Sequence, residues 1–224
     1  MHKYAEVFAR RCKESFGLST EIEYSYRSLS VCILDCIYSL RAKYDEVTVP
    51  IVDRYAEKYM GGDRHASGDT VSMLLCRMDE MGHREFARTV LKNNQKLGGS
   101  KQIPKEEVCY QLARYLRDLH IETIADFRTF DSQEILEIVI RAVDGMGDAG
   151  TNYLFMLAGN QNRCKPDVHI HHCIRDFCGC DISNQECQIL FTDAVTLLRE
   201  TYPKLTMRSL DGMIWRVYRN KSRS

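Results

Sequence analysis

The chain has 224 residues, enough for one large domain or for two small ones with separate cores. An apolar fraction of 44%, a charged fraction of 28% and only four prolines exclude a disordered or low-complexity chain. The 31 basic residues are matched by 31 acidic ones, so no global positive field marks a nucleic-acid binder.

No run of about 18 apolar residues is present to span a bilayer. The amphipathic start MHKYAEVFARRCKESFG lacks a signal peptide's apolar core. The expectation is an intracellular protein of cytoplasm, nucleoid or nucleus, with no membrane partner. Ten scattered cysteines, several inside apolar helical stretches, read as reduced core thiols. Charge is uneven: residues 31–162 carry 16 Lys/Arg and 20 Asp/Glu, while the two ends together carry 15 and 11.

From the N-terminus, the 3.6-residue apolar period predicts helices over 3–16, 27–41, 46–60, 69–80, 83–96, 104–119, 131–142, 148–159, 166–178, 183–201 and 206–220. Turn-forming runs fall between them: Gly61-Gly62-Asp63, Ser67-Gly68-Asp69, Gly98-Gly99-Ser100 before Pro104, and Gly145 and Gly147. The fold class is all-α, with no fixed-period repeat.

Residues 131–159, DSQEILEIVIRAVDGMGDAGTNYLFMLAG, carry the most information. Asp131 with Glu134 predicts a capping-box start, and Ile135, Leu136, Ile138, Val139 and Val143 an apolar face. The run is cut at Val143-Asp144-Gly145-Met146-Gly147, and a second helix carries Tyr153, Leu154, Met156 and Leu157. Gly145 and Gly147 are expected at positive φ, letting another backbone come close. The amides from Asp148 to Thr151 open a helix whose dipole suits a phosphate. An ordinary tight turn, with glycines for close packing, accounts for the same residues. Downstream, residues 165–176 read KPDVHIHHCIRD, where Asp167 after Pro166 suits a helix N-cap.

Hairpin and Asp-Val-His run together resemble the helix–hairpin–helix DNA glycosylases, nearest the 8-oxoguanine branch. The resemblance implies a two-lobed all-α fold. Residues 28–162 would form a six-helix lobe containing the hairpin, and residues 1–27 plus 163–224 a second lobe built from both termini. It also implies that Asp167 is the catalytic carboxylate of base excision from duplex DNA. Gly145, Gly147, Asp148, Ala149 and Thr151 would meet the DNA backbone, and His169 would approach it near the extruded nucleotide. Arg41, Lys43 and Tyr44, in the turn from Ser39 to Val47, are candidates for wedging into the gap left by a flipped base; a solvated loop is the other reading. The family further implies a weak K⁺ or Na⁺ on the backbone carbonyls of Arg141, Val143 and Met146.

The sequence departs from the family in places. Bifunctional members place a Schiff-base lysine where Ala149 stands, so the expected reaction is hydrolysis without lyase activity. Asp144 replaces the usual proline and brings negative charge to the turn. Cys173, Cys178, Cys180 and Cys187 lack the spacing of the family's iron–sulfur cluster, and none is expected. The group Cys164, His169, His171, His172 and Cys173 is too irregular for zinc. The expected partner is duplex DNA holding a modified or mismatched base, bound by a monomer. Which base is open: the Asp-Val-His run favours an oxidised purine, while the absent lysine is shared with glycosylases of mismatched or alkylated bases. A non-catalytic DNA-binding or damage-sensing protein on the same fold is the alternative. Trp215 reads either as a core anchor or as a stacking platform, beside a basic end of Arg216, Arg219, Lys221 and Arg223.

Overall fold

The computed structural model describes residues 1–18, 25–98 and 102–221, the side chain of Lys221 excepted. In chain order the helices are α1 (Ala5–Ser15), α2 (Leu29–Ser39), α3 (Val49–Tyr59), α4 (Val71–Met81), α5 (His83–Phe86), α6 (Lys105–Asp118), α7 (Ile124–Thr129), α8 (Gln133–Arg141), α9 (Asp148–Leu157), α10 (Val168–Cys178), α11 (Asn184–Leu198) and α12 (Met207–Lys221). Short π-helical segments, Tyr44–Thr48 and Ala87–Leu91, lead into α3 and continue α5. Among the described residues the only β pairing is a single antiparallel bridge, Lys96 to Pro104. The protein is all-α.

Two compact units share the chain, Met1–Tyr24 with Asn160–Ser224, and Ser25–Gly159. The cuts lie three residues before those read from the sequence. Each unit has its own apolar core. No helix among the described residues is long and apolar enough to cross a membrane.

The Ser25–Gly159 unit is organised around α2, whose sequence LSVCILDCIYS is apolar on every face and whose residues are all buried. A helix apolar all round must be surrounded, and α3, α4, α6 and α9 pack against it. α7 escapes the sequence reading because six residues are too few to show a period, but its start was legible. Thr123 and Asp126 form a capping box, each side chain accepting the other's backbone N–H. The helix expected to run to residue 96 stops at Leu91, where Lys92 turns left-handed at φ +50°.

α8 corrects two expectations. Its N-cap is Ser132, accepting the Ile135 N–H at 3.3 Å, so the box expected from Asp131 and Glu134 does not form. Of its apolar residues only Leu136 and Ile140 are buried in the core, joined by Val143 of the following turn, whereas Ile135 and Ile138 stay 51% and 66% exposed. The expected stripe was wider than the one the packing uses.

In the terminal unit, α1 packs on α10 and α11, and α10 on α12, so the two chain ends build one core. Phe8 meets Phe191 and Phe177 with ring centroids 5.4 and 6.0 Å apart. Ser183 and Glu186 close a capping box on α11. None of the ten cysteines forms a disulfide, and seven are buried.

Candidate functional site

In the Ser25–Gly159 unit, α8 and α9 form the expected hairpin. The turn is tied by the Val143 N–H on the Ile140 carbonyl at 3.2 Å and the Met146 N–H on the Val143 carbonyl at 3.0 Å. Val143 and Met146 are buried, while Asp144, Gly145 and Gly147 are exposed. Two apolar anchors thus hold a short stretch of backbone open to solvent. Gly145 sits at φ +89°, and a Cβ there would collide with Leu97 Cδ1, so its close approach is to the protein's own core.

Gly147 behaves otherwise. Its φ of −97° and ψ of −172° are extended, correcting the positive φ expected of it. A Cβ added at Gly147 would meet nothing within 4 Å. As the N-cap of α9 it supplies no side chain to the first-turn amides. Thr151 also departs from expectation: it is fully buried, its Oγ1 has no hydrogen-bond partner, and its N–H donates to the Gly147 carbonyl at 2.9 Å. Its hydroxyl cannot reach a phosphate outside the unit. Asp148 and Ala149 are half-exposed on the first turn.

Charge at the turn is acidic. Arg141 donates to Glu137 at 2.8 Å and to Asp148, and Asp144 in the turn is exposed. Two carboxylates share that guanidinium, and the exposed Asp144 of the turn adds negative charge that opposes a bare phosphate.

The turn after α2 holds the three wedge candidates, and the structure separates them. Arg41 is exposed at φ +53°, with Nη1 lying against Gly98, where a Cβ would come within 2.7 Å. Lys43 is exposed and paired with Glu46 at 3.3 Å, a surface contact of little energetic weight. Tyr44 is turned inward and its hydroxyl donates to Asp35 Oδ2 at 2.6 Å, which corrects its assignment as a wedge.

Asp35 was not singled out in the sequence. It is fully buried and accepts two further phenols, Tyr26 on Oδ2 at 2.8 Å and Tyr153 on Oδ1 at 2.9 Å. Burial first, and then the neighbouring carboxylate, hold all three phenols well above the usual tyrosine range. The signal was present: an aspartate inside a helix with no polar face has to find donors.

In the terminal unit, Asp167 is the N-cap of α10. Its Oδ1 accepts the His169 N–H at 2.9 Å and the Ile170 N–H at 3.2 Å. The side chain is half-exposed, and Oδ2 makes no hydrogen bond to the described residues. The carboxylate and the hairpin belong to different units, and each is defined within its own.

Burial holds His169 below its ordinary value of 6.5, the pull of Asp167 opposing it and His172, Lys165 and Arg219 adding to it. A neutral imidazole offers a DNA backbone a hydrogen bond and no charge. Because the unfolded chain takes up this proton before the folded one does, the stability His169 contributes is complete above the unfolded value and declines as pH falls toward the folded one. The urea midpoint should therefore drop as pH falls below about 6.5, and drop less in His169→Gln. An equal drop in both proteins would remove His169 from the account.

Trp215 is half-buried, with the Arg219 guanidinium 4.2 Å from its ring centroid. Of the basic end, Arg216 is exposed; Arg223 and the side chain of Lys221 lie outside the described residues. His171 Nε2 lies 2.8 Å from Asn184 Oδ1. Among the described residues no group of three or more His, Cys, Asp or Glu is arranged to hold a metal ion.

A family model described as Domain of unknown function (DUF8548) matches residues 6–219. No curated protein and no solved structure matches the chain.

Proposed function

The chain belongs to the DUF8548 family of domains of unknown function, and within it we propose a DNA N-glycosylase that flips a modified or mismatched base from duplex DNA and hydrolyses its glycosidic bond. The reading is supported above all by the hairpin turn, whose exposed backbone ends at an open Gly147, the N-cap of α9. Such an element can hold a phosphate through amides alone and without base preference. A K⁺ or Na⁺ on the carbonyls of Arg141, Val143 and Met146 belongs to the same proposal, because a cation there would offset the acidic rim that phosphate must approach.

Asp167 is the proposed catalytic carboxylate. One oxygen caps α10 and fixes the group, while Oδ2 is left for chemistry. As the C1′–N bond breaks, its electron pair leaves with the base and positive charge grows on the sugar. The carboxylate stabilises that charge and accepts a proton from the water that adds to C1′. Ala149 offers no amine, so the product is an intact abasic site. The cap also favours a second reading, in which Asp167 is structural and the protein binds DNA without catalysis.

Duplex oligonucleotides carrying one modified or mismatched base each, incubated with protein and then heated in alkali, separate the two. Cutting only after alkali supports hydrolytic base excision. Salt-dependent binding with no cutting on any duplex supports the non-catalytic reading, and no binding at all defeats both.

The two hairpin glycines give a sharper check of the grip. Gly147→Ala is expected to keep the wild-type melting temperature, since its backbone is extended and its surroundings open. Its duplex affinity should nevertheless fall at least about tenfold, because a Cβ would stand where the phosphate comes close. Gly145→Ala should instead cost about 1–3 kcal/mol of stability through its positive φ and the collision with Leu97. Unchanged affinity in Gly147→Ala would remove the hairpin from the DNA interface.

A further inference from the structure

The carboxylate of Asp35 reaches three separated stretches of the Ser25–Gly159 unit. Its Oδ2 takes the hydroxyls of Tyr26 and Tyr44, and its Oδ1 takes that of Tyr153. Tyr44 opens the π-helical segment behind the exposed turn, and Tyr153 lies on α9, the second helix of the hairpin. A single carboxyl group therefore ties the turn to the hairpin helix through hydrogen bonds from two phenols.

The other end of the turn is clamped as well. Lys105, itself buried, donates from Nζ to the Tyr38 carbonyl at 3.0 Å, the Leu40 carbonyl at 2.8 Å and Gln95 Oε1 at 3.1 Å. It thereby places a cation on the last turn of α2, where the helix dipole ends negative. Between these two buried anchors stand Arg41, at a left-handed φ that side chains seldom adopt, and Lys43, both exposed. Strain held by anchors on both sides marks a rigid projection and not a slack loop.

We propose that Asp35 is a positioning residue, which through Tyr44 and Tyr153 sets the projection bearing Arg41 and Lys43 at a fixed spacing from the hairpin helix α9 so that one DNA duplex meets both. Asp35 touches no DNA and acts only through the two phenols. The inference rests on the proposed function, in which the hairpin is a duplex contact, and on the reading of Arg41 and Lys43 as residues that wedge into the gap left by a flipped base.

The test compares wild type with Tyr44→Phe and Tyr153→Phe, each of which keeps its ring and loses one hydroxyl, and with Asp35→Asn. Three quantities are read: amide hydrogen exchange over residues 40–46, affinity for undamaged duplex, and kcat and KM of base release on the duplex cut by wild type. Tyr44→Phe is expected to speed exchange over 40–46 about tenfold and to keep duplex affinity within about twofold, since the hairpin grip is intact. Its kcat should fall about 10- to 100-fold, the loss typical of a misplaced positioning element, with KM little changed. Tyr153→Phe should lower kcat in the same way. If Asp35→Asn does not fold, the two phenylalanine variants decide alone. Faster exchange with wild-type kcat would leave Asp35 a structural residue and overturn the proposal, as would wild-type exchange and kcat together. A wild-type protein that neither binds nor cuts any duplex fails differently: the proposed function falls first, and the role of Asp35 falls with it.

Discussion

Asp167→Asn is expected to lower base release by about 10²- to 10⁴-fold while the melting temperature moves by less than about 2 °C. The two expectations come apart because the side chain has two separable jobs. Asparagine and aspartate cap helices equally well, so the amide oxygen of the substituted side chain can still accept the His169 and Ile170 amides and keep α10 anchored. What the substitution removes is the negative charge, and charge is the property that an oxocarbenium-like sugar and an attacking water require. Asp167→Ala removes both and should cost about 1 kcal/mol of stability as well. A DNA binder without catalysis predicts the reverse order: no effect from the asparagine variant, and a small loss from the alanine variant that tracks stability alone. Melting curves and alkali-revealed cutting on the same three proteins distinguish the two, and cutting by Asp167→Asn at the wild-type rate would end the glycosylase reading.

Period and punctuation were legible in the sequence, and partnership was not. The 3.6-residue repeat exposed the long helices, because burying one face of a helix imposes that spacing whatever packs on it. Gly145 and Gly147 marked the hairpin turn for the same local reason, although only Gly145 needs the freedom that glycine allows. Pro166-Asp167 announced the N-cap that α10 has. Side-chain direction was a different matter. Tyr44 reads as a loop residue and yet points at Asp35, nine positions back, and Tyr153 reaches the same carboxylate from 118 positions away. Thr151, one turn into a helix that opens at the surface, lies on its buried face. Arg141 and Asp148 meet only because the turn folds α9 back beside α8. Each of these depends on which segments become neighbours, and no local window contains that information.

Burial of charge also sets the second large effect, in the network that braces α2 from its N-terminal side. Asp69 accepts the Ser30 hydroxyl at 2.6 Å, the Tyr55 hydroxyl at 2.7 Å and Arg77 Nη1 at 2.6 Å. The side chains are 5% exposed for Asp69 and 18% for Arg77, so neither charge is well solvated. Asp69→Ala is expected to destabilise the fold by about 3–5 kcal/mol, because it takes the carboxylate from a guanidinium held among the rings of Tyr55 and Tyr59, leaves the Ser30 hydroxyl without its acceptor, and leaves the Tyr55 hydroxyl with its Arg77 contact alone. Arg77→Met should cost less. Its thioether stem can keep the contact with the Tyr59 ring, 4.2 Å from the guanidinium carbon in the native chain, and Asp69 retains two neutral donors. The double variant should fall well short of the sum, since removing both charges leaves nothing stranded. Urea melts of the three proteins test the ordering. If the single losses simply add, the pair is not coupled and α2 is braced by packing alone; if they do not, the ion pair also fixes the helix on which Asp35 is mounted.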